Sequence, residues 1–120
     1  MSDNTNAKMS DSMRNLVPYF RALADSSRLR LLALMSSGPL CVEDMALALA
    51  VPQPRVSRHL AYLRKNGIVE PTRQGRRIYY RIVPPRDPFT RKLMDGLQRQ
   101  LAQKTSVQAD RKRLSKAVIR

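Results

Sequence analysis

The sequence predicts one mainly α-helical domain with a single β-hairpin, in the order α-α-α-α-β-β-α. Three observations lead to this prediction: a basic amphipathic helix, a short apolar helix joined tightly to its start, and a hairpin signal directly after it. The central helix lies within residues 51–66, VPQPRVSRHLAYLRKN. There Val56, Leu60 and Leu63, at i, i+4 and i+7, form one apolar stripe at helical spacing.

The segments on either side of this helix complete a recognisable pattern. A short helix is predicted over Val42–Leu49, and a tight junction around Ala50-Val51-Pro52 connects it to the central helix. Two short helices with a tight junction, the second basic, are typical of a helix-turn-helix. Two β-rich runs, residues 68–73 and 76–83, flank a Gln74-Gly75 turn and predict a hairpin. A basic hairpin in this position is a wing, so the fold class is a winged helix-turn-helix.

The rest of the chain divides into two tails and three further helices. They are a disordered tail at 1–10, a first helix from about Asp11 or Ser12 to Ala24, a second from Ser27 to Ser36, a last helix from about Pro88 to Lys104, and a frayed basic tail at 105–120. Asp25-Ser26-Ser27 is the cap signal that starts the second helix. The folded DNA-binding and dimerisation domain is therefore predicted over residues 11–104.

Composition limits the partners of the protein. A chain of 120 residues with 42% apolar content forms one domain with a modest core. Its net charge of +14 attracts polyanions, with nucleic acid the first expectation and an anionic membrane surface the next. The longest apolar runs, such as residues 31–35, are too short to span a bilayer, so we expect no membrane partner and a cytoplasmic location. A single cysteine excludes an internal disulfide.

The faces of the central helix away from its apolar stripe carry side chains that donate to phosphates and base edges, and none is acidic. Such a helix suits a DNA major groove. The wing tip adds arginines that can reach phosphates or the minor groove. The candidate DNA-binding residues are Gln53, Arg55, Ser57, Arg58, His59, Arg73, Arg76 and Arg77. Taken alone, the helix also fits a solvated cationic face of an ordinary domain.

The last predicted helix has an apolar stripe at Phe89, Leu93, Leu97 and Leu101, and no following element is predicted to cover it. An exposed apolar patch of this size usually marks an interface, so we expect a homodimer. The alternative is that the helix folds back on the core of its own monomer. Two-fold symmetry would place two basic helices on one face, matched to half-sites about one turn of DNA apart.

Several segments, in this order, resemble the ArsR/SmtB family of winged-helix repressors. They are FRALADSSRLRLLALM at 20–35, LCVEDMALAL at 40–49, QPRVSRHLAYLRKNGIV at 53–69 and RQGRRIYYRI at 73–82. The resemblance covers roughly residues 16–103. It implies a homodimer held by the first and last helices, so Leu16 and Phe20 join the candidate interface residues. It also implies an inverted-repeat operator, which is released when an effector binds.

Metal sensing does not carry over from this resemblance. Many metalloid-sensing relatives carry Cys-Val-Cys at the start of the third helix, whereas here Cys41 matches the first thiol and Glu43 stands at the second. A carboxylate is a poor ligand for a soft ion, so a three-thiolate arsenite site in this segment is impossible. Zinc-sensing relatives use His and Asp on the last helix, which here has Asp87 and Asp95 but no His. No metal site is predicted.

Cys41 is nevertheless the one soft nucleophile and the effector candidate. It is predicted at the N-cap of the third helix, three residues before Asp44. A helix N-terminus lowers the pKa of a thiol, while Glu43 and Asp44 act in the opposite direction. Three interpretations stay open: a structural cap, a sensor for a soft metalloid or oxidant that uses one Cys41 per subunit with an outside thiol, and an effector site elsewhere.

No enzyme and no cofactor are predicted. The single His59 lacks a plausible catalytic companion, and there is neither a Gly-rich phosphate loop nor a pair of catalytic carboxylates. The leading hypothesis is a sequence-specific dimeric repressor that binds double-stranded operator DNA. The alternative is a non-specific architectural DNA- or RNA-binding protein. A membrane-surface role ranks third, because the positive charge is not confined to one amphipathic helix.

Overall fold

The structure, a computed structural model, describes residues 16–119. Over these residues it has helix α1, seen at 16–23, and the helices α2 (Ser26–Leu34), α3 (Val42–Leu49), α4 (Gln53–Lys65), α5 (Pro88–Ala102) and α6 (Thr105–Ile119). The strands are β1 (Leu40–Cys41), β2 (Val69–Gln74) and β3 (Arg77–Ile82). The predicted winged helix-turn-helix is confirmed, with α3 and α4 as its two helices and β2–β3 as its wing. The tail predicted at 1–10 and the predicted start of the first helix lie outside the described residues.

The wing is part of a three-stranded antiparallel sheet in the order β1-β3-β2. β2 and β3 pair from Val69–Ile82 to Gln74–Arg77, and Gly75 begins the two-residue turn with a φ of 64°. Glycine adopts this left-handed conformation without the strain that a side chain would add. The third strand was not predicted, because two residues are too short to show an alternating pattern. It pairs Cys41 with Tyr79 and so joins the start of α3 to the wing.

The core forms around α2, whose residues 31–34 are all buried. The predicted stripe of α4, Val56, Leu60 and Leu63, has no exposed surface and packs into the same cluster. Helix α4, the second helix of the helix-turn-helix and hereafter the recognition helix, is therefore fixed to the rest of the domain by its apolar side. The side that carries Gln53, Arg55, Ser57 and Arg58 is exposed.

The junction between α3 and α4 is short. Ala50, the C-cap of α3, takes a left-handed conformation with a φ of 57°, which a non-glycine residue rarely adopts. Pro52 then caps α4, and Pro54 lies in its first turn, where a proline costs no hydrogen bond. The two helices are thus joined by only three residues, 50–52.

The prediction of a frayed tail at 105–120 is wrong for residues 105–119, which form α6. Val107 and Asp110 are fully buried, Ala117 is buried and Leu114 packs against the core, so one face of α6 points inward at helical spacing. The lysines and arginines between these positions hide the pattern in the sequence, and one inward residue is an aspartate. The described part of the chain accordingly has six α-helices, besides a short 3-10 helix at Met35–Ser37, where five helices were predicted.

Candidate nucleic-acid interface

The exposed side of α4 carries the predicted reading residues. Gln53, Arg55, Ser57 and Arg58 are all exposed, whereas the apolar stripe of the same helix is buried. No acidic residue lies on α4, so its surface is cationic along its whole length. Guanidinium and amide groups of this kind can form paired hydrogen bonds with guanine and adenine edges.

The structure brings the start of α4 close to the tip end of the wing, where Arg77 pairs with Gln74 beside the turn. Gln53 and Arg77 line one open groove of about 830 Å³ together with Glu43 and Leu47 of α3. Arg77 does not extend freely from the wing, because its Nη1 lies 3.5 Å from the Cys41 sulfur. The tip itself carries the exposed Arg73 and Arg76. At this end of the wing, Arg73 and Arg76 are therefore exposed to a ligand, whereas Arg77 also contacts Cys41 at the start of α3.

His59, predicted as a DNA-binding residue, lies at the contact between α4 and the start of α2. Its side chain is only 19% exposed, and its Nδ1 is 3.5 Å from Arg28 Nη1 and 3.9 Å from Asp25 Oδ1. These contacts join α4 to the start of α2. They give His59 a role in positioning the recognition helix, and a DNA contact by His59 stays a prediction.

Arg28 is a positioning residue that the sequence did not reveal. Its Nε donates to Ala22 O at 2.6 Å and its Nη2 to Arg21 O at 3.3 Å, at the end of α1. Its guanidinium also lies 4.5 Å from the centre of the Tyr62 ring of α4, a cation–π contact. Arg28 thus links α1, α2 and α4. The cap motif before α2 draws attention to Asp25, but no local pattern marks the arginine three residues later.

Asp25 caps α2 as predicted, with its Oδ1 accepting from the Arg28 amide at 3.1 Å. Partial burial disfavours the charged form of Asp25 and by itself would raise its pKa. The hydrogen bond from Arg28 N, the facing His59 and the Arg28 guanidinium outweigh burial, so the pKa of Asp25 lies below its ordinary value. The carboxylate is therefore a structural anion close to the recognition helix.

Cys41 occupies the predicted N-cap of α3, but its side chain makes no capping hydrogen bond and has no exposed surface. Burial is the largest effect on the thiol and raises its pKa, and the Asp44 side chain adds to this. The Asp44 amide and Arg77 lower the pKa, yet the net shift is upward. The lower pKa that a helix N-terminus would give is thus outweighed by burial.

Neither a metal site nor a membrane span is found within the described residues. Among residues 16–119, no group of three or more His, Cys, Asp or Glu side chains is arranged to hold a metal ion. In the same part of the chain, no helix has the length and apolar character needed to cross a bilayer.

An apolar surface lies along α1, α2 and α5. Phe20 is 47% exposed and Phe89 is 60% exposed. An open groove of about 310 Å³ is lined by Phe20, Leu23, Ala24, Leu29, Leu93 and Leu97. Leu16 is half-buried and lines a separate pocket beside Tyr19 and Pro85. All the predicted interface residues but one therefore keep some exposed surface.

The exception is Leu101, which the sequence places in the interface because no element was predicted to follow it. It is buried in its own chain, where it clusters with Ala33 and with Val107 of α6. The missed helix α6 is the reason for this difference.

Comparison with known proteins places the chain in a family. A family model described as "Bacterial regulatory protein, arsR family" matches residues 25–71. The arsenical resistance operon repressor of Escherichia coli (strain K12) is 40% identical over 80 residues, which are 66% of this chain and 68% of that protein. The chain belongs to the arsR family. The resemblance read from the sequence is thereby confirmed, and the relative is a regulator of transcription rather than an enzyme.

In three further relatives, two from Pseudomonas putida and one from Synechocystis, the match covers a smaller share of the protein. At 39–47% identity, the matched stretch spans 53–62% of their length. Reduced HlyU from Vibrio cholerae shares the fold, with a TM-score of 0.68 at 24% identity over 80% of this chain and 98% of that one. A winged helix-turn-helix DNA-binding domain from Mycobacterium bovis, described as homodimeric, has a TM-score of 0.66 at 28% identity, over 80% of this chain and 86% of that one.

Proposed function

We propose that this arsR-family protein is a homodimeric transcriptional repressor that binds an inverted-repeat operator. The observation that carries the proposal is the exposed face of α4, which carries Gln53, Arg55 and Arg58 on a helix without any acidic residue. A helix of this shape and charge fits the major groove, and the wing arginines fit the flanking phosphates.

The apolar surface of α1 and α5 supports the dimer. Large exposed side chains such as Phe20 and Phe89 are costly to leave in water and are usual at subunit contacts. The related domain from Mycobacterium bovis is described as homodimeric. A two-fold dimer presents two copies of α4, and a palindromic site presents two matching half-sites.

Release of DNA by an effector belongs to the same proposal, with Cys41 as the soft nucleophile. Its burial and its raised pKa favour the structural interpretation over a fast thiol sensor, because a reagent reaches the sulfur only after β1 or Arg77 moves. Since a relative is named an arsenical resistance operon repressor, trivalent arsenicals are the first reagents to test.

The test of the proposed function is selection of genomic fragments by the purified full-length protein, followed by measurement of its affinity for the enriched sequence. We expect a two-fold-symmetric site, preferred over bulk DNA by about 10³-fold or more. Near-equal affinity for all duplexes would contradict the repressor and would leave the architectural alternative, which the net charge of +14 also supports.

A further inference from the structure

The buried carboxylate of α6 lies outside the surfaces described above. Asp110 has no exposed surface. Arg30 of α2 donates to it twice, from Nε to Oδ2 at 2.8 Å and from Nη2 to Oδ1 at 2.7 Å. Arg113, one turn further along α6, donates from Nη2 to Oδ1 at 2.7 Å. Charge-assisted hydrogen bonds of this kind fix the orientation of both guanidinium groups.

The same two guanidinium groups also hold the end of α3. Arg30 Nη2 donates to Leu49 O at 3.2 Å, and Arg113 Nε donates to Ala48 O at 2.6 Å. The last carbonyls of a helix have no partner within the helix itself. The two carbonyls at the end of α3 are therefore satisfied by side chains from α2 and α6, which Asp110 keeps in place.

The position of these carbonyls connects them to DNA recognition. Leu49 is followed at once by the left-handed Ala50, and α4 begins at Gln53. Because the junction is so short, a shift or rotation at the end of α3 passes directly to the first turn of α4. That turn carries Gln53 and Arg55, two of the residues proposed to read bases.

We propose that Asp110 is a positioning residue for operator recognition, which fixes the angle between α3 and α4 through Arg30 and Arg113. This inference rests on the proposed function. The role is not a DNA contact, because the carboxylate is fully buried. Nor is it mainly a contribution to stability, since buried ion pairs are often replaceable by apolar groups without loss of stability and are better attested as devices that select one arrangement.

The experiment compares Asp110→Asn with Asp95→Asn in the full-length protein. Asp95→Asn removes the same charge from an exposed position of α5. In Asp110→Asn, an amide N–H₂ replaces one of the two oxygens that face the guanidinium groups. Affinity is measured for the selected operator and for a scrambled duplex of equal length, and circular dichroism and sedimentation confirm the fold and the assembly.

We expect folded Asp110→Asn to lose operator affinity about tenfold or more, the scale of one charged hydrogen bond, with a much smaller loss on the scrambled duplex. Amide hydrogen exchange should become faster at the α3–α4 junction, residues 48–53, but not in α5. Asp95→Asn should match the wild type. Unchanged operator affinity in folded Asp110→Asn would overturn the inference, as would an equal loss on both duplexes.

A second variant serves if Asp110→Asn does not fold. Arg113→Lys keeps the positive charge, but its single ammonium group cannot bond Asp110 and Ala48 O in the same forked geometry. The same selective loss of operator affinity supports the inference, and its absence refutes it. A wild type that prefers no sequence contradicts the proposed function itself, so the two failures are distinguishable.

Discussion

Asp25 joins two elements at the scale of a single residue, since it caps α2 and faces His59 of α4. We expect Asp25→Ala to lower the free energy of unfolding by about 1 kcal/mol at pH 7, the usual value of an N-cap. Because folding lowers the pKa of Asp25, this stability is present above its ordinary pKa and is lost as the pH falls through the lowered value. Urea unfolding of both proteins at pH 7 and pH 3 measures the difference.

The control for this prediction is Asp95→Ala, which removes an exposed carboxylate on α5 that is not an N-cap. It should change the free energy of unfolding by no more than about 0.5 kcal/mol. A deficit of Asp25→Ala that is as large at pH 3 as at pH 7 would contradict the electrostatic account of the cap.

Cys41 gives a second prediction at this scale. Its burial and raised pKa should make native labelling by Ellman's reagent at pH 7 slow, and unfolding in guanidinium chloride should restore the rate of a free thiol. Cys41→Ser should keep full operator affinity and lose any DNA release that trivalent arsenicals cause in the wild type. Native labelling as fast as in the unfolded protein, or arsenical release that persists in Cys41→Ser, would refute this assignment.

At the scale of elements, α4 and the wing are expected to contribute differently to DNA binding. Arg55→Ala and Arg76→Ala remove the same group from the two elements. Arg55→Ala should weaken operator binding more than binding to random DNA, by about 1–3 kcal/mol, as should Gln53→Ala. Arg76→Ala should weaken both and reduce the salt slope by about one unit. Titration of both duplexes at several salt concentrations separates the two effects, and equal losses from the α4 variants would argue against base reading.

The elements that the sequence predicted well are those with a strong local pattern. α3 has its predicted bounds, Val42–Leu49, and the wing turns at Gly75 as expected. β1 was missed because two residues show no alternating pattern, and α6 was missed because its lysines, arginines and inward aspartate obscure its apolar face. The site shows the same division: exposure of Arg55 follows from helical spacing, whereas the contacts of His59 depend on how α2 packs against α4.

At the scale of the whole molecule, the predicted dimer can be tested by introducing a negative charge into the proposed interface. Leu97→Glu places a carboxylate in the apolar groove, and Phe89→Glu places one at an exposed position in the first turn of α5. Burial of an unpaired charge at an interface costs several kcal/mol, about 3–5 in known cases, so both variants should sediment as monomers at concentrations where the wild type is a dimer. Phe89→Glu separates assembly from folding, because a side chain that is 60% exposed contributes little to its own core.

Val118→Glu is the matched control for the dimer test, because it introduces the same charge at a 58% exposed position of α6. It should leave the sedimentation coefficient unchanged. If Phe89→Glu and Leu97→Glu both remain dimers, the assignment of the interface to α1 and α5 is wrong.

The hydrogen bonds between Arg30 and Asp110 join residues 80 positions apart. During synthesis, Arg30 is added to the chain on the order of 4–16 seconds before Asp110, at about 5–20 residues per second. Helix α4 is therefore synthesised before Asp110 and Arg113. During that interval the end of α3 lacks the hydrogen bonds that depend on these two residues. A chain that stopped before α6 would still contain the cationic α4 and the wing, and their charge would still attract DNA. It would lack Asp110 and Arg113, the residues of α6 through which we propose that a preferred sequence is selected.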